Sequence, residues 1–297
     1  MKSFLPKLGL FIFVSLLGIF FLLTAAAARS ELVVESSIKY GNWGFKNTRS
    51  STDTGFDSLA LDELTFSVTF PFVKSIYLAG GYRYSSILES QAFLHLLYSL
   101  EKVDIEAGFS LGFQNDLPII IVPGVYGKLQ AMLKKHFMVG LWGHTSVYLQ
   151  PLVSLSSSGA DFDQNLFGLA GSFFMRDAIL TLSFENENIF VESSAITSMR
   201  NGKKTYEISI STNLEDFWLN SHTAFGGDIR DFKEGSVKHR LIALYIEETL
   251  IFTLKRFDIS TGLKCDISYT PLKGTSSESP PQAPSFSVYG GFKWKIQ

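Results

Sequence analysis

Cys265 is the only cysteine in the 297 residues, so no internal disulfide framework can staple the chain. Nor is there a P-loop, a dinucleotide fingerprint, a zinc-ligand pair or a pair of catalytic carboxylates. Those absences remove the enzyme classes whose chemistry needs such motifs, and no cofactor or metal is expected. Long apolar runs are missing after residue 28, so any later entry into a membrane must be by strands. Charged residues are only 18% of the chain. Without Lys2 and Lys7 the 26 basic side chains fall to 24 against 28 acidic, a net charge near −4, which gives no pull toward nucleic acid.

The first 28 residues do hold an apolar run. Lys2 and Lys7 precede Leu8 to Leu23, and Ala25 to Ala28 supply small cleavage positions, so residues 1–28 read as an export signal peptide. An uncleaved spanning helix is the alternative, since about 20 apolar residues suffice to cross a bilayer. The remaining residues, 29–297, read as one domain.

What that domain has in abundance is Phe (27), Gly (24) and Tyr (11), set in runs of alternating apolar and polar residues. In the cleanest run Val103, Ile105, Ala107, Phe109, Leu111 and Phe113 share one face, with Asp104, Glu106, Gly108, Ser110, Gly112 and Gln114 on the other. A strand with one face for lipid and one for water is the unit of a transmembrane barrel. Such runs meet at short turns, as at Glu101-Lys102, Lys134 to His136 and Met175 to Asp177. The expected fold is therefore all-β: a transmembrane antiparallel up-and-down barrel of about 14 strands, with 12 as the alternative. Six short turns would lie on one side with both termini, and seven long loops on the other, the short-turn side being periplasmic. Phe70, Phe72, Tyr77, Phe137, Phe173, Trp218, Phe257 and Trp294 gather beside those turns, where an interfacial girdle belongs. A soluble sandwich would alternate too, but would not need rings at one level of nearly every hairpin.

Three places break the pattern. Ile119 to Val122 is apolar throughout between Pro118 and Pro123, and is expected to extend a strand above the membrane rather than fold inward as a constriction. Leu241 to Leu254 is nearly all apolar with Glu247-Glu248 in its middle; a bulge there would restore alternation, and its β-branched residues favour strand over helix. Arg200, Lys203 and Lys204 surround Asn201-Gly202, a hairpin-turn pair, and read as solvated turn charge or a contact for anionic lipid head groups.

Over its mature length the chain resembles bacterial outer-membrane β-barrel proteins as a class. Its layout is similar to monomeric OmpG-type porins, and it shares a strand count with the longer FadL-type transporters. The resemblance implies location in the outer membrane, contact with its lipid and with the barrel-assembly machinery, and passage of small solutes. Barrels of the class usually end on an aromatic residue, whereas here Trp294 stands three places before the end.

Function is then sought on the inward parity, which carries Arg83, Asp104, Glu106, Lys128, Gln130, Trp142, Glu207, Asn213, Lys264, Asp266, Lys293 and Lys295. Unpaired inward charges would tune ion selectivity, and paired ones would stiffen or plug the lumen. His144 and Ser146 form a His-x-Ser pair like that of outer-membrane lipid hydrolases, but Val147 and Tyr148 follow where those enzymes carry Asn or Gly, and the parity points inward. Asp161, Asp163 and Asn165 open like a calcium loop, yet Leu166 and Ser172 occupy the positions that need glycine and glutamate. The expected function is a passive outer-membrane channel without enzymatic activity. A lipid hydrolase using His144 and Ser146, and a structural barrel whose loops hold extracellular partners, are the alternatives.

Overall fold

A computed structural model describes residues 32–41, 60–85, 90–114, 120–147, 161–193, 196–212, 218–234, 237–274 and 286–296. These form β1 (Leu32–Gly41), β2 (Ala60–Val73), β3 (Ile76–Ser85), β4 (Ser90–Ser99), β5 (Val103–Gln114), β6 (Ile120–Lys134) and β7 (Phe137–Val147). The second half comprises β8 (Asp161–Phe174), β9 (Ala178–Ser193), β10 (Ile196–Thr212), β11 (Leu219–Glu234), β12 (Val237–Leu254), β13 (Phe257–Gly274) and β14 (Phe286–Ile296). Each strand pairs antiparallel with its sequence neighbours, and β1 pairs with β14 from Leu32↔Ile296 to Gly41↔Ser287. Fourteen strands close the ring and leave no free edge.

The alternation read from the sequence becomes two faces. Exposed Ile105, Phe109, Leu129, Leu141, Leu169, Leu182, Ile208 and Leu263 share one face. The other carries the side chains that reach across an intervening strand, such as Tyr289 of β14 to Glu247 of β12 and Arg230 of β11 to Asp266 of β13. Side chains converge over a strand in this way on the concave face, so the polar face is the interior and the apolar face is the belt. Near the short-turn end, stacked pairs Trp218–Phe252 and Phe257–Trp294 sit at 5.9 and 5.5 Å between ring centroids. On the outer side of the seam Leu32, Val68 and Phe70 pack with Val34, Leu78 and Ile296.

Four expectations change. The connections on the far side are not uniformly long: β3 to β4, β9 to β10 and β11 to β12 need only residues 86–89, 194–195 and 235–236. The chain puts that length into strands instead, with β9 to β13 running 16 to 18 residues where about 10 span a bilayer. Asn201-Gly202 is accordingly not a turn but lies inside β10, opposite Ile189 and Asn188 of β9. Glu247-Glu248 hold no bulge, because β11 and β12 pair without interruption from Leu219↔Phe252 to Glu234↔Val237. The irregularity lies on the other side of β12, where the pairing with β13 shifts between Arg240/Leu241 and Leu244/Tyr245. Glu248 therefore faces outward, where its carboxylate accepts a hydrogen bond from Thr223 at 2.5 Å. Asp161, Asp163 and Asn165 lie in β8, and an extended strand cannot wrap them around one ion.

Ile120–Val122 pair with Gln114, Phe113 and Gly112, so this apolar run extends β6 as expected, with Pro123 opposite Leu111. Cys265 takes the outward parity of Leu263. Residues 1–31, the expected signal peptide among them, and Asn213 lie outside the described residues.

Candidate functional site

Inside the barrel, glycines and large polar rings alternate around the wall. Trp142 of β7 lies over Gly168 of β8, where an added Cβ would sit 2.1 Å from the indole. Beyond that glycine, the indole Nε1 donates to Glu185 of β9 at 3.2 Å. Tyr245 of β12 crosses Gly226 of β11 and donates to Glu207 of β10 at 2.7 Å; Tyr289 of β14 crosses Gly262 of β13 and donates to Glu247 of β12 at 2.7 Å. On the other wall His95 of β4 lies over Gly108 of β5, stacks on Tyr126 of β6 at 4.7 Å and bonds Glu106 at 2.7 Å. Each brace ties strands two apart. Glycine is required beneath it because the ring occupies the place of a side chain.

Charge concentrates between β9 and β13. Asp228, whose side chain is wholly buried, accepts from Arg230 at 2.8 Å and Thr205 at 2.8 Å, with Lys203 at 3.8 Å. Arg230 also reaches the buried carboxylate of Asp266 at 3.3 Å. Lys264 pairs with Glu247 at 3.2 Å and lies 3.6 Å over the Tyr245 ring. Gln164 donates to Glu187 at 2.8 Å. Among the described residues of this wall the acids Glu185, Glu187, Glu207, Asp228, Glu247, Asp258 and Asp266 outnumber the bases Lys203, Arg230 and Lys264. Arg83 on β3 stands within electrostatic reach of His144 on β7 and Glu187 on β9. β3 and β9 lie nearly opposite one another in the ring, so that reach spans the lumen.

The residues expected inward mostly meet partners. Arg83 pairs with Glu63 at 3.0 Å, Asp104 accepts from Ser99 at 2.5 Å, Lys293 pairs with Glu35 at 2.5 Å and Lys295 with Asp258 at 3.5 Å. Lys128 stands in register with Glu106 and Trp142, and Gln130 with Asp104 and Gly140. Sequence reasoning missed Asp228, Arg230, Lys203, Glu185, Glu187 and the Tyr braces. The sequence carries a signal for Glu185 and Glu187, which fall at the parity opposite to the apolar Leu180, Leu182 and Phe184. Lys203, Asp228 and Arg230 belong to strand extensions that were not foreseen.

His144 and Ser146 are brought together, with Ser146 Oγ 3.0 Å from His144 Nε2. The same nitrogen lies 3.5 Å from Ser110 Oγ, which accepts from Gln91 at 3.0 Å. This polar chain crosses Gly124, whose place a side chain would fill with a clash. Ser146 is fully buried on the inner face, so a lipid ester has no approach to its hydroxyl. The cross-strand link is the one from His144 to Ser110 of β5, with Ser146 completing it from its own strand.

No family model matches the sequence, and no curated protein does so significantly. Solved structures do match in shape. An outer-membrane channel from Pseudomonas putida F1 is 11% identical with a TM-score of 0.51, covering 90% of this chain and 96% of that one. OmpT expressed in the outer membrane of Vibrio cholerae is 9% identical with a TM-score of 0.46, covering 90% and 97%. An anion-selective porin from Comamonas acidovorans is 7% identical with a TM-score of 0.41, covering 90% and 99%. At these identities the likeness is one of fold, and the first of the three carries it. With its closed ring and apolar belt, the chain is an outer-membrane β-barrel of bacterial type.

Proposed function

We propose that the protein is a passive channel through which small water-borne solutes cross the outer membrane, reached by way of an export signal in residues 1–28. The observation that carries this reading is the accessibility of inward charges within a closed ring. The side chains of Arg83, Glu35 and Lys293 remain 47, 46 and 43% accessible although they face the lumen. A fourteen-strand ring is nearer the aqueous 16 to 18-strand porins than the filled eight-strand barrels. Ion pairs lining the wall keep it wet without binding a solute tightly, and weak binding is what conduction requires. The acidic excess from β9 to β13 favours cations over anions.

Reconstitution in planar bilayers tests this. Stepwise conductance with a reversal potential favouring cations in a salt gradient is expected. Folded barrel that gives no conductance steps would overturn the channel reading and leave the surface-interaction barrel in its place.

A further inference from the structure

Inside the lumen, five consecutive strands of the ring, β12, β13, β14, β1 and β2, curve around a cavity of about 360 Å³. It lies near the short-turn mouth, because Asp258 and Lys293 are a cross-strand pair one step inside the girdle pair Phe257 and Trp294. Two rows of inward residues line it. The row nearer the mouth runs Ser67, Glu35, Lys293 and Asp258, and the next runs Thr65, Ser37, Gly291 and Ser260, with Ile251 beyond. Glycine makes the second row concave. A Cβ at Gly291 would stand 3.0 Å from Ser260 Oγ and 3.5 Å from Ser37 Cβ, so a side chain there would take the space between the two serines.

The charges around this space are balanced. Lys293 pairs with Glu35 at 2.5 Å and Lys295 with Asp258 at 3.5 Å, so a charged solute gains only by displacing a partner already in place. Neutral hydroxyls need displace nothing. A carboxylate offers about four lone-pair sites and an ammonium three donors, so each group keeps hydrogen-bonding capacity beyond its ion pair. The serines add more. Among the described residues no hydrogen bond engages the side chains of Ser37, Ser67 or Ser260, and Thr65 donates to Glu63 at 3.2 Å with its own lone pairs open. Ile251 supplies one apolar patch. Donors and acceptors set around an apolar patch match a sugar ring, whose rim carries hydroxyls that both donate and accept and whose face carries C–H groups. The volume falls in the ordinary range for a small-molecule pocket, about 300–1,000 Å³.

We propose that this cavity binds a neutral saccharide at the short-turn mouth, with sugar hydroxyls held between Glu35, Lys293 and Asp258 on one side and Ser37, Thr65 and Ser260 on the other, and the ring face on Ile251. Its role in transport rests on the channel reading, but the binding itself is measurable without conduction.

Saturation-transfer NMR of the full barrel, folded in a detergent without sugar head groups, tests it with maltose, glucuronate, lysine and tetraethylene glycol at equal concentration. Maltose should receive saturation that titrates to a plateau, and the other three should not compete. Asp258→Asn should weaken maltose binding about tenfold, as loss of a hydrogen bond to a charged group does, and Ser37→Ala combined with Ser260→Ala should weaken it by about as much. Ser183→Ala removes an inward hydroxyl on β9, across the ring, and should change nothing. Heat-modifiable gel mobility reports that each variant is folded. Absence of saturable transfer to maltose, equal binding of tetraethylene glycol, or undiminished maltose binding in the folded double serine variant would overturn the proposal, and preference for glucuronate or lysine would overturn it in favour of a charged solute. Conductance recorded on the same preparation separates the two readings: a barrel that binds maltose without conducting keeps the site and loses the channel, and one that conducts without binding maltose keeps the channel and loses the site.

Discussion

Gly127 and Gly168 lie on opposite faces of one wall, and a single methyl group would act differently at each. At Gly168 the Cβ would enter the Trp142 indole, forcing the ring off its seat and breaking its bond to Glu185. Gly168→Ala is expected to cost about 1–3 kcal/mol, the range for overpacking. Gly127→Ala opens onto empty space and should change stability by no more than about 0.5 kcal/mol, as surface substitutions do. Urea titration of barrels folded into lipid vesicles compares the two. Glu248 makes the opposite case, since it turns a carboxylate toward lipid with Thr223 as its partner. Glu248→Leu should raise stability in the same assay by about 1 kcal/mol, acidic residues on the lipid face costing less than the ~2–4 kcal/mol of lysine or arginine. Loss of stability in Glu248→Leu would mean that the carboxylate holds the wall together.

At the scale of the element, the buried knot on β11 and β13 is the place where removing one partner matters most. Arg230→Met leaves the buried carboxylates of Asp228 and Asp266 without their shared cation, and about 3–5 kcal/mol of destabilisation is expected in the vesicle assay. Adding Asp228→Asn should restore part of it. A cost below about 1 kcal/mol for Arg230→Met would show that water already solvates the knot. β12 also shows where sequence legibility ended. Parity is a local property and was readable wherever one face was wholly apolar, as on β5 and β13. β12 carries Leu241, Ala243 and Tyr245 inward, all nearly or completely buried, so its two faces look alike in sequence. Tyr245 is tolerated there because Gly226 on the neighbouring strand makes room, a fact that depends on register between strands and not on either strand alone. The same dependence concealed the braces: the glycines and rings were visible, but their pairing was not. Asn201-Gly202 misled for a related reason, because turn chemistry is only a local preference and the pairing of β10 with both neighbours overrides it.

The whole molecule is asymmetric around its ring. β3, β4 and β7 have 10 or 11 residues, whereas β9 to β13 have 16 to 18, so one wall stands taller on the side away from the termini. The extra six to eight residues add about 15–20 Å of sheet at the usual rise and tilt. The acidic excess lies on the strands of that wall but at about the height of Arg83, not in the added length, so a cation meets the two together. Glu185→Gln combined with Glu187→Gln should move the reversal potential toward zero without changing the number of conductance steps. An unchanged potential would place the selectivity elsewhere. The membrane class and strand number were legible because they follow from counting alternating runs. The tall wall was not, because it depends on how far pairing continues past the membrane.

Closure of the ring joins β1 to β14, elements separated by more than 240 positions in the chain. One edge of the first strand therefore waits for the last strand to be made before it has a partner. Until then an unsatisfied row of amides and carbonyls is open to any other chain. The final rungs are close ones, as a Cβ at Gly41 would come 2.2 Å from the Phe286 carbonyl oxygen. Gly41→Val should delay the mobility change that marks closure in a refolding time course while leaving the earlier hairpins to form. The barrel thus stays vulnerable to stray pairing throughout its assembly, and the exposure of this edge ends only when the last strand arrives.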